Sequence, residues 1–121
     1  MMKTLLWLDD IRNPFMADWL LSFAGEYAYG DGTVIWVKNY AEFTEWIRTN
    51  KLPTKIAFDN DLGEDLFGYD CAKWLVDYCI DNGEILPEWT IQSSNTVAYE
   101  HINSLLSNFK KHQQNERNTK I

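Results

Sequence analysis

Short apolar runs that end abruptly in polar side chains are the feature that most constrains this fold. Residues 5–8 run directly into Asp9 and Asp10, and residues 55–58 run directly into Asp59. Segments with helical periodicity separate these runs, and this alternation is typical of parallel strands joined by helices. The carboxyl ends of parallel strands share one edge of a sheet, where open α/β sheets bind ligands. The sequence therefore predicts that these carboxylates converge in one crevice.

The order of elements predicts an α/β fold of the flavodoxin or receiver type. We expect a three-layer sandwich with a shortened parallel sheet in the strand order 2-1-3-4 and helices on both faces. Residues 1–110 form this single domain, and residues 111–121 form a polar, frayed C-terminal tail. The expected strands are residues 3–9, 33–37, 55–59 and 88–92. The expected helices lie between Pro14 and Gly25, after an Asn39 cap, from Gly68 to Asn82, and from Thr96.

Charge and cysteine usage narrow the class of protein. A net charge of −7 argues against general DNA binding, which needs a basic surface. Cys71 and Cys79 share one helix face and cannot bridge within that helix, so we expect reduced core residues and a cytoplasmic protein. No apolar run approaches the ~20 residues that a membrane span requires, and the first residues show no signal-peptide pattern.

Four aspartates are the candidate metal ligands. Asp9, Asp10, Asp59 and Asp61 follow neighbouring strands of the predicted sheet. Mg²⁺ is held by one or two carboxylates together with water and phosphate, and Mn²⁺ accepts similar ligands. The alternative is that each aspartate only ends a strand and caps a turn. Because two acid pairs are expected on adjacent strand ends, we favour the metal site, with Asp61 as a fourth ligand or a turn cap.

Phosphate-binding groups are predicted around the same crevice. Arg12 follows the first acid pair and could bind a phosphate through two N–H groups. Alternatively, it forms an ion pair with Asp61 or Glu64. Ser93, Ser94 and Asn95 end the last strand just before a helix, where hydroxyl and backbone N–H groups can hold phosphate oxygens or cap the helix.

These residues resemble the response-regulator receiver domain. Receivers carry two acids after the first strand, one after the third, and a Ser or Thr after the fourth. Asp9, Asp10, Asp59 and Ser93 match those positions. Gly63, however, stands where receivers have proline, and their fifth strand with its lysine is absent from this sequence.

A receiver offshoot, the cyclic-phosphate processing receiver-like family, is a closer match. Its pattern is similar to LDD-x-R-x-P, FDHDLG, GYD and HS-x-N. This chain has LDDIRNP at 8–14, FDNDLG at 58–63, GYD at 68–70 and QSSN at 92–95. Asn60 and Gln92 therefore replace two histidines of that pattern. The resemblance spans residues 4–106.

The resemblance implies activity on cyclic phosphates of nucleotides or RNA ends. Our first hypothesis is a Mg²⁺- or Mn²⁺-dependent phosphoesterase, with the metal on Asp10 and Asp59, or with Asp59 as a nucleophile. The second is a catalytically degenerate module that binds a phosphorylated small molecule, an RNA terminus or a partner protein. The missing histidines and lysine favour that second hypothesis. A small domain of this kind fits a bacterium or a phage.

Overall fold

The computed structural model describes residues 3–30 and 32–119. Its strands are β1 (Thr4–Leu8), β2 (Thr33–Val37), β3 (Lys55–Phe58) and β4 (Glu88–Ile91). Its helices are α1 (Trp19–Phe23), α2 (Tyr40–Asn50), α3 (Gly68–Asn82) and α4 (Thr96–Thr119), with a 3-10 turn at Gly25–Tyr27. The four strands pair in parallel in the order β2-β1-β3-β4. The predicted α/β fold and strand order are confirmed.

The side chains of β1 and β3 alternate between two cores, because successive residues of a strand point to opposite faces. The larger core packs Leu6, Leu8 and Phe58 against α2, α3 and α4. The smaller core packs Trp7 and Ala57 against α1 and the 3-10 turn. Since both faces of these strands are buried, their near-continuous apolar sequence is explained.

Helix α3 is amphipathic and buries one stripe of its surface against the core. Cys71, Leu75 and Cys79 are buried at a spacing of four residues, and both thiols are free. Ile80 follows Cys79 directly but is 62% exposed, so the buried stripe of this helix is narrow. The helix ends at Gly83 in the left-handed conformation (φ 63°), which glycine adopts without strain.

The segment between β1 and α1 differs from the expectation. Pro14 does not open a helix, and Met16, within the expected helix, is 64% exposed. Ala17 has a positive φ of 53°, a conformation incompatible with continuing a right-handed helix. Helix α1 is therefore limited to five residues, and a long irregular loop follows the first acid pair.

Helix α4 is longer than predicted, because it continues through the expected tail 111–121 as far as Thr119. Gln113 anchors this extension to the domain: its Oε1 accepts from the Leu86 N–H at 3.1 Å, and its Nε2 donates to the Glu84 carbonyl at 2.9 Å. The last two residues lie outside the described part of the chain. Within the described residues, no helix is long and apolar enough to cross a membrane.

Candidate functional site

The carboxyl edge of the sheet brings three of the predicted acids together. Asp9 follows β1 and Asp59 follows β3, and the Asp59 N–H donates to the Leu8 carbonyl at 2.9 Å. One carboxylate oxygen each from Asp9, Asp10 and Asp59 lies within 4.8 Å of the other two. We call these three residues the acid group. Its position follows from the pairing of neighbouring strands.

Asp9 is fully buried and organises the loop that follows β1. Its Oδ1 accepts from the backbone N–H groups of Ile11 (3.1 Å) and Arg12 (2.8 Å). Its Oδ2 accepts from Arg12 Nη1 at 3.0 Å, and its backbone carbonyl accepts from Trp36 Nε1 at 2.7 Å. Both carboxylate oxygens thus have protein donors, as a buried carboxylate requires. Asp9 therefore fixes the loop and the arginine.

Arg12 is the cation of the site. Its Nη1 lies 3.0 Å from Asp9 Oδ2 and 3.6 Å from Asp59 Oδ1, and its side chain is 27% exposed. The guanidinium carbon also lies 5.3 Å from the centre of the Trp19 ring. The alternative ion pair considered from sequence, with Asp61 or Glu64, is replaced by these two buried acids. Arg12 therefore reduces the repulsion among carboxylates while other N–H donors of its guanidinium remain for a ligand.

Asp59 is the most perturbed acid of the group. It is 6% exposed, and its Oδ1 accepts from the Asn60 N–H at 2.9 Å. Burial raises the pKa of Asp59 to about 7, and the charges of Asp9 and Asp10 act in the same direction, whereas Arg12 opposes them. Removal of a carboxylate from water disfavours its charged form, which explains the main part of the rise. A group that changes charge near neutral pH therefore lies at the centre of the site.

Asp10 is the partly exposed member of the acid group, and the loop after β3 leaves space for its side chain. Gly63 has a positive φ of 68°, and a Cβ at this position would lie 3.1 Å from Asp10 Oδ2. Asp61 does not join the acid group: it is exposed, and its Oδ1 accepts from the Gly63 N–H at 3.0 Å. Of the four aspartates predicted as metal ligands, the structure therefore brings three together and places the fourth in a turn.

The wall beside Asp59 depends on a close approach between α3 and β3. A Cβ on Gly68 would lie 1.9 Å from the Asp59 carbonyl oxygen, so only glycine fits there. Asn60 ties the two elements together, since its carbonyl accepts from the Gly68 N–H at 2.8 Å and its Oδ1 accepts from the Tyr69 N–H at 3.3 Å. Asn60, which stands where the family pattern has its first histidine, therefore stabilises the start of α3.

Gln92, at the second replaced position, was singled out only through the resemblance. It is 2% exposed, and its Nε2 donates to the Leu8 carbonyl at 3.0 Å, reaching from the end of β4 past β3. Its buried Oε1 has no hydrogen-bond partner among the described residues. The sequence signal for Gln92 was a polar residue at the end of a predicted buried strand. The group that its side chain contacts depends on the tertiary fold.

The predicted phosphate-binding segment after β4 forms the start of α4. Asn95 Oδ1 accepts from the N–H groups of Val97 (3.0 Å) and Ala98 (3.2 Å), which is the geometry of an N-cap. Ser93 Oγ accepts from the Asn95 N–H at 3.2 Å, and Ser94 is exposed. The capping alternative is thus confirmed for Asn95, and the two serines lie at the same edge of the sheet as the acid group.

The donor set of the acid group fits a hard divalent cation. Three carboxylates offer oxygen atoms at one point, and oxygen is the ligand that Mg²⁺ and Mn²⁺ prefer. The group has one partly exposed member, Asp10, and two buried ones. A ligand can therefore approach from the side of Asp10 and Arg12, which are the more exposed groups.

Comparison with known proteins identifies the family. Residues 4–108 match the cyclic-phosphate processing receiver domain. A solved structure, titled as the yeast Spc42 trimeric coiled coil fused to another structure, is similar with a TM-score of 0.58 and 23% identity. The similarity covers 85% of this chain and 60% of that one, and it shows the fold alone. No curated protein matches. Because the family match covers most of the chain and includes the acid group, this protein belongs to the cyclic-phosphate processing receiver domain family.

Proposed function

We propose that this domain is a divalent-cation-dependent phosphoesterase that acts on cyclic or terminal phosphates of nucleotides or RNA. The observation that carries the proposal is the acid group itself: three carboxylates within 4.8 Å of one another, beside the Arg12 guanidinium. Carboxylates alone repel a phosphate. Such a cluster suits phosphate chemistry only when a metal ion neutralises it, and the family match points to a phosphate substrate.

Asp10 and Asp59 are the proposed ligands of Mg²⁺ or Mn²⁺, with Asp9 supporting them. When bound, the cation would supply Lewis-acid neutralisation of charge on the phosphoryl oxygens. Asp9 has both oxygens engaged by the loop and Arg12, so its main role is to hold the site together. Asp59 either binds the cation or attacks phosphorus through one carboxylate oxygen. In the second case an aspartyl phosphate forms as one ribose O–P bond breaks, the ribose oxygen takes a proton from water, and a second water then hydrolyses the aspartyl phosphate.

Arg12 and the segment after β4 are the proposed phosphate contacts. The ion pairs of Arg12 use Nη1, so its remaining N–H groups can donate to phosphate oxygens. These donors are held in place before a ligand arrives, because Asp9 and Trp19 fix the guanidinium. Ser93 and Ser94 add hydroxyl groups at the same edge of the sheet. Fixed donors of this kind stabilise charge that develops in a transition state.

A second candidate function is a binding module without turnover. Asn60 and Gln92 support it, because neither amide can donate or accept a proton as histidine does, and both side chains already hold structural contacts. A module of this kind would retain the cation and the phosphate but release the ligand unchanged. Its ligand would be a phosphorylated small molecule or an RNA terminus, and a partner protein could read the bound state.

A turnover assay separates the two functions. Nucleoside 2′,3′-cyclic phosphates and RNA oligonucleotides with a 2′,3′-cyclic end are incubated with Mg²⁺, with Mn²⁺ or with EDTA, and products are followed by chromatography. We expect hydrolysis only with metal, and a loss of at least about 100-fold in Asp10→Asn, as for removal of one transition-state contact. Asp65→Asn, an exposed aspartate of the loop after β3, is the matched control.

The outcomes are distinct. Metal-dependent binding without hydrolysis would favour the binding module. If no metal supports either binding or hydrolysis, both functions are refuted. An equal loss in Asp10→Asn and Asp65→Asn would also refute both, since a general charge effect would then account for the result.

A further inference from the structure

A cleft of about 520 Å³ lies between the start of α3 and the start of α4. Its lining includes Asn60, the residue that follows Asp59, and Asn95, which belongs to the predicted phosphate-binding segment after β4. The cleft therefore shares the loops after β3 and β4 with the proposed phosphate site. Its volume falls within the range of small-ligand sites.

The cleft is lined by aromatic rings. Phe67, Tyr69 and His101 contribute to its wall, and the Tyr69 and His101 ring centres lie 6.2 Å apart at 62°. Phe67 is 45% exposed and Val97, at the same cleft, is 59% exposed. Large apolar side chains that stay exposed together often mark a binding surface. Aromatic rings in such a surface provide stacking platforms for nucleobases.

Polar groups in the cleft suit the edge of a nucleobase. Asn60 and Asn95 use their side-chain oxygens on backbone N–H groups, which orients each amide and leaves its NH₂ to donate. Lys73 adds a cation, with Nζ 5.7 Å from the centre of the Tyr69 ring. A few fixed donors within an aromatic wall are typical of sites that read a heterocycle rather than an aliphatic chain.

We propose that this cleft binds the base of a mononucleotide whose phosphate lies at the acid group. This inference rests on the proposed function for the phosphate, and it adds the substrate class: a nucleoside rather than a bare sugar phosphate. The net charge of −7 disfavours a long polyanion, because each additional phosphate is repelled without a basic surface to receive it. A mononucleotide therefore fits better than an RNA chain.

The first test uses ligands without phosphate. Adenosine, guanosine, cytidine and uridine are titrated into the metal-free protein in EDTA, and NMR shifts of the His101 imidazole and of the Asn60 and Tyr69 amides are recorded. We expect at least one nucleoside to shift these signals to saturation. Shifts spread over the whole surface, or none at all, would overturn the cleft as a base site, whatever happens to phosphates.

The second test measures the contribution of the base in the presence of Mg²⁺. A nucleoside 2′,3′-cyclic phosphate should bind at least about 10-fold tighter than the same ribose cyclic phosphate without a base, the scale of one base–aromatic stack. Phe67→Ala and His101→Ala should bring this ratio towards one. Phe15→Ala removes a phenylalanine that is 65% exposed and lies outside the cleft, so it should keep the ratio.

The two tests distinguish failure of this inference from failure of the proposed function. Equal binding of the nucleotide and its base-free analogue would reject the base site and leave the phosphate site standing. Nucleoside binding in the cleft without any metal-dependent phosphate binding would reject the phosphate site and leave the base site standing. Tighter binding of an RNA oligonucleotide with a cyclic end than of the mononucleotide would overturn the choice of a mononucleotide.

Discussion

Replacement of Asp59 by Asn tests the electrostatic account of the site without any ligand. Asp59 is 6% exposed, and burial together with the charges of Asp9 and Asp10 raises its pKa to about 7. An aspartate in the unfolded chain has a pKa of about 3.9. Between these two values the folded protein holds a proton that the unfolded chain has released. The free energy of unfolding must therefore fall as the pH rises from about 4 to about 7, and stay lowered above that.

The size of the effect follows from the same two pKa values. A difference of about 3 units corresponds to about 4 kcal/mol, which is the upper limit of the destabilisation that ionised Asp59 causes above neutral pH. This figure already includes the attraction of Arg12, but Asn adds an amide whose donors need partners at every pH, and this cost offsets part of the gain. We therefore expect Asp59→Asn to raise the free energy of unfolding by about 1–2 kcal/mol at pH 8. At about pH 4 the wild type is protonated at Asp59 when folded and about half protonated when unfolded, so the gain from removing the charge is nearly absent and Asp59→Asn should be less stable than the wild type by about 2 kcal/mol.

Urea denaturation in EDTA, followed by tryptophan fluorescence across this pH range, measures the difference directly. The other titratable groups change the free energy of unfolding equally in both proteins, so their contribution cancels when the variant is compared with the wild type at each pH. Asp65→Asn, the exposed control, should show a difference near zero that does not depend on pH. The reasoning is refuted if Asp59→Asn is less stable than the wild type at pH 8, because the Arg12 attraction would then outweigh burial and repulsion.

Further predictions concern the loop, the close approach and the metal. Arg12→Ala should destabilise the metal-free protein by about 2 kcal/mol or more, because it leaves buried Asp9 without its cation; chemical denaturation with Arg12→Lys as a partial rescue checks this. Gly68→Ala should cost about 1–3 kcal/mol because its Cβ meets the Asp59 carbonyl, whereas Gly25→Ala, with nothing within 4 Å of the added carbon, should be nearly neutral in thermal melts. Millimolar Mg²⁺ should raise the melting temperature of the wild type but not of Asp59→Asn. Below pH 7 its binding should release a proton, measurable by calorimetry in buffers of different ionisation enthalpy, and no release would contradict the raised pKa.

The features that the sequence predicts well are those that depend on neighbours along the chain. Asn39 caps α2 with its Oδ1 on the Glu42 N–H at 2.8 Å, and Gly83 ends α3, both as local rules require. The convergence of the acid group was also predictable, because strand order and strand ends determine it. The caps follow from local rules, whereas the convergence follows from the pairing of β1 with β3 that the alternation of strands and helices predicts.

The features that sequence reasoning missed depend on tertiary contacts. The partners of Arg12 are buried acids that outcompete the exposed Asp61, and no local pattern distinguishes these carboxylates. The extension of α4 past the predicted domain end is anchored by Gln113, whose side-chain amide forms hydrogen bonds with the backbone of Glu84 and Leu86, just before β4. A helix was expected between Pro14 and Gly25, but Ala17 has a positive φ of 53° and α1 begins only at Trp19, and no local pattern of the sequence indicates that conformation.

The charge balance of the site links its folding to its proposed function. With all groups ionised, the acid group and Arg12 together carry a net charge of −2, which a phosphate would strengthen and a divalent cation would cancel. Without the cation, burial of Asp59 and repulsion by Asp9 and Asp10 both favour its protonated form, and this is why its pKa lies near neutrality rather than in the ordinary carboxylate range. If Asp59 binds a cation as proposed, the cation and that proton compete for the same carboxylate, and metal affinity should increase with pH up to about 7 and level off above it. Because Asp9 holds Arg12 through a 3.0 Å contact that does not involve Asp10 or Asp59, we expect the phosphate-facing donors of Arg12 to keep their positions when a cation binds those two acids.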